Sequence, residues 1–600
     1  MDPEILSTRD IEFLLYEWLD IESLTAHERY AEHDRSTFEG VLDLASRLAT
    51  DYFAPHNKLS DSHEPKFDGE RVHIIPEVGK ALQAYAASGL FSASWEPRHG
   101  GMQLPWTVIS ACTAWLQAAN IATASYPLLS FGNANLILTH GSAEQIDTYV
   151  QPMAEGRFLG TMCLSEPHAG SSLADVTTRA VPQDDGTYRL FGTKMWISGG
   201  DHELSENIVH LVLARISDGP AGVRGISLFI VPKYLVADGA AIGERNDVVL
   251  AGLNHKMGWR GTTNAVLNFG EGVHTPQAQP GAIGYLVGQP HKGLAYMFHM
   301  MNEARIAVGS GAAALGYTGY LKSLNYARHR LQGRPVASKD PHVAQVPIID
   351  HTDVRRMLLA QKAYAEGALA LVLYASHLVD EVATAQTDSA RDEAQLVLDT
   401  LTPIVKSWPS QWCLVANDLA IQIHGGAGYT RDYDVEQHYR DNRLNPIHEG
   451  THGIQAMDLL GRKVTAKGGA GLSALLSRLL ATTEQADHFG GELADYGTQL
   501  AATAQRIVEV TATLWGSLDP ESALSNASVY LEAVGHTVVA WIWLQQALVA
   551  AHNPSEDGFY RGKIQAAHYF FRWELPKVGP QLDLLASGDR TTSEMRSEWF

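Results

Sequence analysis

Apolar residues recur at every third or fourth position through the first part of the chain, in segments such as IEFLLYEWL and FEGVLDLASRLATDYFAPH. This spacing places them on one face of an α-helix and predicts a helical domain over residues 1–158. Between residues 159 and 280 the pattern changes to short β-branched or aromatic runs, such as NIVHLVLARI and GISLFIVP, bounded by Gly, Asp and Pro. Runs of this kind predict strands, and therefore a central β domain.

The helical pattern returns over residues 281–466, where Pro403 and Pro409 are expected to begin or kink a helix. The segment KGGAGLS, residues 467–473, predicts a linker to a C-terminal helical extension over residues 467–600. That extension contains VVAWIWLQQALVAAH, an apolar run that must pack against the preceding helical domain or its dimer mate. The predicted fold class is mostly α with a central β domain.

Composition and charge narrow the functional classes. The chain has 600 residues, of which 45% are hydrophobic, and the formal net charge is -22. That charge disfavours a protein that binds the nucleic-acid backbone. The three cysteines are too few and too scattered for a disulfide framework or a zinc site, and no histidine spacing indicates a metal ligand set. An acidic N-terminus without a signal or membrane-spanning run predicts a cytoplasmic protein.

Two segments of small polar residues follow predicted strands, MCLSEPHAGSS at residues 162–172 and KMWISGG at residues 194–200. One interpretation is a flavin platform, in which main-chain amides and the Ser165 hydroxyl bind the isoalloxazine edge and Trp196 packs against it. The alternative is a surface turn and a core tryptophan, and each segment taken alone favours this alternative.

A third segment, QIHGGAGYTRDYDVEQHYRDNRLNPIHEGTHGIQ at residues 422–455, contains a glycine-rich turn that a ligand can approach closely. It has neither the G-x-G-x-x-G nor the GxxxxGK[ST] spacing, so neither common nucleotide motif is supported. Glu449 follows in IHEGT among apolar and small residues. A lone carboxylate in such a place is more often a helix cap or a surface ion pair than a catalytic base.

Taken together, SEPxAGS, KxWI[ST], Arg-x-Gln-Gly, QxxGGxGY and RD followed by IxEGT occur in one fixed order. Their order and spacing resemble the acyl-CoA dehydrogenase family. The resemblance implies a helical domain, a β-barrel-like domain and a four-helix bundle. The length and the C-terminal helices are similar to the long bacterial branch of fatty acyl-CoA and 3-methylthiopropanoyl-CoA dehydrogenases.

The resemblance also implies that FAD is the cofactor and that Glu449 is the base that removes the α-proton of an acyl-CoA. Positions that match the family's cofactor contacts are Leu164, Ser165, Trp196 and Ser198 at the flavin ring, Arg330 and Gln332 at the phosphate or adenosine across a subunit interface, and Gln422, Gly425 and Gly426 at the adenine. Positions that match the substrate side are Ser171, Asn302, Arg305, His448, Gly450 and Thr451. For Arg305 alone, an ion pair on a helix surface is an equal alternative.

Several positions depart from the family pattern. Asn302 stands where many relatives carry Asp, and Ser172 replaces a common Asp, so both bear on the CoA contacts. His448 replaces a frequent Tyr and Gly453 a larger side chain. These two losses of bulk favour a roomy pocket and an acyl group of medium or long chain length.

The expected product is the trans-2-enoyl-CoA of β-oxidation, with an electron-transfer flavoprotein as electron acceptor and a homodimer as assembly. A 3-methylthiopropanoyl-CoA dehydrogenase and an oxygen-using acyl-CoA oxidase are the alternatives. A DNA-associated relative with a basic C-terminus is disfavoured, because residues 466–600 contain 9 Lys and Arg against 15 Asp and Glu.

Overall fold

A computed structural model of the chain describes residues 5–217, 219–237, 241–337, 340, 342–553 and 558–600. The chain packs as two compact units. Unit 1 comprises Met1–Arg35, Pro105–Ala111 and Val308–Phe600, and unit 2 comprises Ser36–Leu104 and Cys112–Ala307. This division follows packing rather than order along the chain.

The strands confirm the predicted β region. A small hairpin is formed by β1 (Lys66–Phe67) and β2 (Val72–His73). The remaining strands are β3 (Phe158–Cys163), β4 (Arg179–Pro182), β5 (Tyr188–Ser198), β6 (Asn207–Ile216), β7 (Ile226–Pro232), β8 (Tyr234–Ala237), β9 (Ala241–Arg245), β10 (Val248–Leu253), β11 (Asn264–Phe269) and β12 (Ala282–Leu286).

Most of these strands form one sheet in the order β10-β11-β5-β12-β7-β6-β3, with β4 beside β5 and β6. β3 and β4 run parallel to β6, while the other neighbours are antiparallel. Both faces of β6 are buried, because Val209 and Leu211 join one apolar cluster and Val212 and Ala214 join another. Burial on both sides explains why β6 reads as a continuous apolar run rather than an alternating one.

The helices dominate the rest of the chain and confirm the mostly α class. They are α1 (Thr8–Glu12), α2 (Arg35–Leu48), α3 (Asn57–Ser62), α4 (Pro76–Ala87), α5 (Trp106–His140), α6 (Ala143–Gln145), α7 (Gln151–Ala154), α8 (Gly293–His329), α9 (Thr352–Thr384), α10 (Asp388–His424), α11 (Val435–Asn442), α12 (His452–Asp458), α13 (Ala470–Phe489), α14 (Gly491–Ser517), α15 (Pro520–Leu524), α16 (Ala527–His552), α17 (Gly558–Tyr569), α18 (Val578–Ala586) and α19 (Thr591–Glu594).

Pro403 and Pro409 both lie inside the continuous helix α10, so the expectation that they begin a helix is wrong. Pro409 has no N–H to offer the carbonyl of Val405, one turn earlier. At that carbonyl the backbone of Gly309 on α8 packs so closely that an added Cβ would lie 2.1 Å from the oxygen. Tertiary packing therefore fills the position where an isolated helix would bend.

The predicted linker is shorter than expected, since Ala466–Gly469 forms one tight turn and α13 begins at Ala470. The extension then packs against α9, as its apolar pattern predicts. The indole of Trp543 on α16 donates to the carbonyl of Ala363 at 3.1 Å. α9 and α16 are each long and apolar enough to cross a membrane, but the relevant windows are 72% and 89% buried within the protein.

Candidate functional site

Glu449 lies on the loop that joins α11 to α12, and its backbone is left-handed with a φ of 53°. Residues other than glycine adopt this conformation rarely, and only where the surrounding structure enforces it. Gly450 follows with a φ of 89°, and a Cβ added there would lie 2.5 Å from Gln455 Nε2. The Glu449 side chain is half-buried. The loop therefore presents a carboxylate from a turn that requires glycine at the next position.

Two buried side chains hold this loop from beneath. Lys406 on α10 donates from Nζ to the carbonyl oxygens of Asn445 at 2.8 Å and Gly450 at 2.7 Å. Gln455 on α12 donates from Nε2 to the carbonyl of Glu449 at 3.0 Å. Both side chains have no solvent-exposed area. Lys406 precedes Glu449 by 43 residues and lies outside every motif, so the sequence analysis did not find it.

A chain of buried amides fixes the orientation of the same loop. Asn417 donates to the carbonyl of Leu315 at 2.9 Å, Asn442 donates to Asn417 Oδ1 at 2.7 Å, and Asn445 donates to Asn442 Oδ1 at 2.9 Å. Asn445 Oδ1 then lies 3.1 Å from His448 Nε2. This series of hydrogen bonds ends on the carbonyl of Leu315, which can only accept, so the direction of every amide in the series is fixed. The last hydrogen bond therefore requires that His448 Nε2 carries a proton and donates it to Asn445 Oδ1.

His448 is therefore a neutral imidazole. Burial, with a smaller contribution from the charge of Lys406, lowers the pKa of its ring to about 3. A ring with this pKa is uncharged at neutral pH and has no acidic proton to give. Thr451, the last substrate-side residue of the motif, caps α12 by accepting the Ile454 N–H at 3.4 Å, and it is exposed.

The loop that carries the predicted flavin residues Leu164 and Ser165 belongs to unit 2 and follows β3. The carbonyl of Ser165 accepts the N–H of Met195 at 3.0 Å, which ties this loop to β5. Lys194 on β5 donates from Nζ to the carbonyl of Leu164 and to Glu166 Oε1, both at 3.0 Å. Glu166 and Lys194 lie within the two motifs that follow the predicted strands, but nothing in those motifs predicts that the two side chains meet.

Glu166 and Lys194 form a fully buried ion pair. The Glu166 carboxylate also accepts the N–H groups of Thr177 at 2.8 Å and Thr178 at 3.0 Å. Burial alone would raise the pKa of Glu166 and lower the pKa of Lys194. The Lys194 charge and the threonine hydrogen bonds outweigh burial and lower the pKa of Glu166 to about 2. The pair is therefore ionic, since each charge is compensated by the other.

Trp196 departs from regular strand geometry. Its φ is 67°, its ring is 58% exposed, and the register of β5 against β11 shifts at this point. A bulge of this kind turns one side chain out of the pleat. Two positions further on, Ser198 is half-buried and its hydroxyl accepts Asn264 Nδ2 at 3.3 Å. Ser171, in the first motif, is exposed.

The first part of α8 carries the predicted substrate residues Asn302, which is half-buried, and Arg305, which is buried. Between them lies Glu303, which the sequence analysis passed over. Asn135 Nδ2 lies 3.2 Å from the Glu303 carboxylate, and Asn135 Oδ1 accepts the Trp95 indole at 2.7 Å. Burial outweighs the amide hydrogen bond and raises the pKa of Glu303 to about 7.

Arg330 and Gln332 follow the end of α8, and the side chains of both residues are exposed. Their backbones are held by hydrogen bonds to residues 346–351. The carbonyl of Arg330 accepts the N–H of Ile348 at 2.8 Å, and that of Gln332 accepts His351 Nε2 at 2.7 Å. A well-anchored backbone thus presents an arginine and an amide to solvent.

The glycine-rich turn ends α10. The N–H of Gly425 donates to the carbonyl of Gln422, and Gly425 has a φ of 62°. A Cβ added at Gly425 or Gly426 would meet no atom within 4 Å. The turn is therefore open on the side where these side chains would point, and a ligand could approach its backbone.

The predicted site residues divide between the two units. Unit 1 contains Arg330, Gln332, Gln422, Gly425, Gly426, His448, Glu449, Gly450 and Thr451, and unit 2 contains Leu164, Ser165, Ser171, Trp196, Ser198, Asn302 and Arg305. Within the described part of the chain, no three His, Cys, Asp or Glu residues are grouped as metal ligands.

Four family models match the chain. Residues 39–157, 161–270 and 291–465 match the N-terminal, middle and C-terminal domains described as acyl-CoA dehydrogenase. Residues 475–596 match a model described as acetyl-CoA dehydrogenase C-terminal like. The matches therefore extend over most of the chain, including the extension.

Among curated proteins, the chain is 38% identical to 3-methylmercaptopropionyl-CoA dehydrogenase from Ruegeria pomeroyi, over 94% of each chain. It is 32% identical to the broad-specificity linear acyl-CoA dehydrogenase FadE5 from Mycobacterium tuberculosis, over 99% of each chain. Among solved structures, the acyl-CoA dehydrogenase complexed with FAD from Bacillus anthracis matches with a TM-score of 0.73 at 20% identity, covering 92% of this chain and 88% of that one. The structural match supports the same fold.

Proposed function

This chain belongs to the acyl-CoA dehydrogenase family, and we propose that it oxidises fatty acyl-CoA of medium or long chain length to the trans-2-enoyl-CoA with Glu449 as base. The main support for this proposal is the left-handed backbone at Glu449, in a loop whose carbonyls accept hydrogen bonds from two buried side chains, Lys406 and Gln455. A fixed carboxylate is what abstraction of a weakly acidic α-proton requires.

The family uses a flavin, and we propose FAD. The residues of this chain fit such a group. The bulge at Trp196 turns an aromatic ring outward, and the Gly425–Gly426 turn leaves its backbone open. Leu164, Ser165, Trp196 and Ser198 would line the ring, Arg330 and Gln332 would bind phosphate or adenosine, and Gln422, Gly425 and Gly426 would hold the adenine end. FAD, when bound, supplies the acceptor for the hydride that leaves the substrate Cβ.

The chain's own residues perform the remaining steps. Glu449 takes the proton from Cα, and the electron pair of that C–H bond becomes part of the new double bond. The charge that grows on the thioester oxygen needs a donor, and we assign this role to the Glu449 main-chain N–H. Neutral His448 shapes the pocket without exchanging protons, since the pKa of its ring is about 3.

The other substrate-side residues are assigned by position. Ser171, Asn302 and Arg305 would meet the CoA portion, while Gly450 and Thr451 flank the base. We further propose an electron-transfer flavoprotein as acceptor, a homodimer as assembly and the cytoplasm as location.

A second substrate is favoured by one observation. The relative at 38% identity carries the name 3-methylmercaptopropionyl-CoA dehydrogenase, so the same thioester is the alternative substrate here. An oxidase that uses oxygen would share the same base and differ only in how its flavin is reoxidised.

The test mixes the purified protein anaerobically with straight-chain acyl-CoA from C4 to C18, and separately with 3-methylthiopropanoyl-CoA, and follows flavin bleaching and enoyl product. We expect the highest kcat/KM with a medium or long chain, and slow reoxidation by oxygen compared with a dye acceptor. Glu449→Gln is the matched control. It should keep the yellow cofactor and lose at least about 10³-fold in rate, because an isosteric amide cannot accept the proton. Near-normal flavin reduction in this variant would refute the role of Glu449.

A further inference from the structure

The loop that carries the proposed base accepts hydrogen bonds from a charged side chain, Lys406. A neutral side chain could also donate such hydrogen bonds. Lys406 reaches the carbonyls of Asn445 and Gly450 from within α10, and its side chain has no exposed area. Burying an ammonium removes its hydration, which carries a large free-energy cost. A glutamine or serine would bind carbonyls without that cost. The choice of lysine therefore indicates a use for the charge.

The two carbonyls that Lys406 binds lie on either side of Glu449 along the chain. Asn445 is four residues before the base and Gly450 is the next residue. Gln455 binds the carbonyl of Glu449 itself at 3.0 Å. Three donor contacts thus fix the backbone of residues 445–450 and hold Glu449 at a φ of 53°. A conformation of this kind persists only where its surroundings enforce it.

The positive charge also acts on its neighbours. Burial is the larger cause of the low pKa of His448 and of His452, and the charge of Lys406 lowers both further. Glu532 on α16 acts in the opposite direction on His452. Glu532 is itself held by Gln411 at 3.2 Å and by Gln581 at 2.7 Å. The positive charge of Lys406 therefore acts at His448 in the loop and at His452, where α12 begins.

We propose that Lys406, assisted by Gln455, is a positioning residue for the dehydrogenation: it fixes the turn from which Glu449 reaches the substrate and sets a positive charge beneath the base. This inference rests on the proposed function of Glu449. Lys406 binds the backbone of the loop at Asn445 and Gly450, so it acts through Glu449. Its two contributions, geometry and charge, are separable by substitution.

The experiment compares Lys406→Gln, Lys406→Met and Lys406→Arg in the full-length, FAD-loaded protein. The readouts are flavin content, KM, and the rate of anaerobic flavin reduction by acyl-CoA from pH 5 to 9. Lys406→Met should lose about 10²-fold in rate, since a displacement near 1 Å has that effect, while KM stays within about threefold. Lys406→Gln can still donate to a carbonyl, so its rate should fall less. Loss of the charge should move the acidic limb of the rate profile to higher pH by about half a unit or more.

Lys406→Arg retains the charge, so its acidic limb should stay near that of the wild type even if its rate falls. Lys463→Gln is the matched control: Lys463 lies 3.6 Å from Asp399 and binds neither the loop nor Gln455 in the structure. It should leave both rate and pH profile unchanged. If the Lys406 variants fail to fold, Gln455→Leu replaces them in the experiment. We expect this variant to lose about tenfold in rate, with no shift of the acidic limb of its pH–rate profile.

Wild-type rate and an unmoved acidic limb in folded Lys406→Gln would overturn the inference, as would an unchanged rate in Gln455→Leu where no Lys406 variant folds. Failure of the proposed function is a different result. In that case the wild-type protein itself would show no flavin reduction with any acyl-CoA.

Discussion

Two loops of this protein are each held by a buried lysine, and the two lysines are used differently. Beneath the loop after β3, Lys194 binds one carbonyl and the buried carboxylate of Glu166. Beneath the loop before α12, Lys406 binds the carbonyls of Asn445 and Gly450. The first lysine closes an ion pair within the central β domain. The second directs its charge toward a loop that carries the proposed base.

The two loops also differ in how far along the sequence the residues that support them lie. Thr177 and Thr178 donate hydrogen bonds to Glu166, and Lys194 donates to the carbonyl of Leu164. These partners of the first lysine and of its carboxylate all lie within residues 164–194. Lys406 depends on α10, and α10 is braced by the C-terminal extension. Trp408 donates to His536 Nδ1 at 3.3 Å, and a Cβ added at Gly535 would lie 2.8 Å from the Trp408 ring. The loop after β3 is therefore held by residues close to it in sequence, whereas the loop that carries the proposed base relies on a distant part of the sequence.

Removing the C-terminal extension should have the largest effect, because the loop that carries Glu449 depends on it and the loop after β3 does not. Truncation after Lys467 deletes Lys563, which pairs with buried Asp10 and with Glu366 at 2.9 Å. It also uncovers the face of α9 that binds Trp543. Glu366 keeps its pair with Lys362, but Asp10 is left buried without its cation, at a cost of about 3–5 kcal/mol. We therefore expect aggregation or a changed oligomeric state, with FAD loss as a secondary effect. Gel filtration with light scattering measures this.

Lys563→Met in the full chain is the control for the truncation. It leaves the apolar cover in place and removes only the charge, so it should lower Tm while the oligomeric state stays that of the wild type. A truncated protein that is soluble, fully active and unchanged in assembly would contradict the dependence of the base loop on the extension.

Lys194→Met should damage the other loop alone. The substitution leaves the Glu166 carboxylate buried without its cation, at a cost of about 3–5 kcal/mol in stability. We expect a lower Tm and partial loss of FAD, because the Ser165 and Trp196 segments lose their common anchor. Flavin that remains bound should still be reduced by acyl-CoA at a rate within about tenfold of the wild type, since Glu449 and its loop are intact.

The pH dependence of stability provides the control. The pKa of Glu166 is lowered from 4.5 to about 2, so its contribution is complete above pH 4.5 and is lost as the pH falls toward 2. The wild type should lose about 3 kcal/mol over that range from this group. Glu166→Gln should flatten this part of the profile. An unchanged acid profile would show that the pair does not stabilise the loop.

The difference between the loops also explains what the sequence could predict. Periodicity predicts the helical and β regions, and short motifs make Glu449 and Trp196 candidates, because these signals lie within a few neighbouring residues. Lys406 is 43 residues from the base it supports, and no local pattern marks it. The amides of Asn417 and Asn442 likewise meet only in the folded chain.

The same reasoning accounts for the errors. The missing N–H of Pro409 predicts that it begins or kinks a helix, but it lies within α10, where Gly309 packs against the freed carbonyl of Val405. Glu303 was passed over because nothing in NEAR predicts that Asn135 and Trp95 stand behind it. Long-range packing decided each of these positions, and a single sequence carries no separate record of it.

Arg330→Ala has the smallest expected effect, and it tests whether FAD is retained by a residue other than Lys194 and Lys406. Arg330 is exposed on a backbone that Ile348 anchors. If its guanidinium binds FAD phosphate, a charge-assisted contact, Arg330→Ala should weaken FAD retention by roughly tenfold. Fluorescence of released flavin after gel filtration measures the loss. Stability and the rate per bound flavin should stay unchanged, because neither Lys194 nor Lys406 is disturbed.

Arg334→Ala is the matched control for this last variant, since Arg334 lies on the same segment, is exposed, and donates to the carbonyl of Val343 at 2.6 Å. It should keep full FAD occupancy. Equal retention in both variants would show that Arg330 is an ordinary surface charge and that the phosphate contact lies elsewhere. A selective loss in Arg330→Ala, with a normal rate per flavin, would assign three separate tasks to three basic residues: Arg330 retains the cofactor, Lys194 anchors the loop at its ring, and Lys406 supports the base.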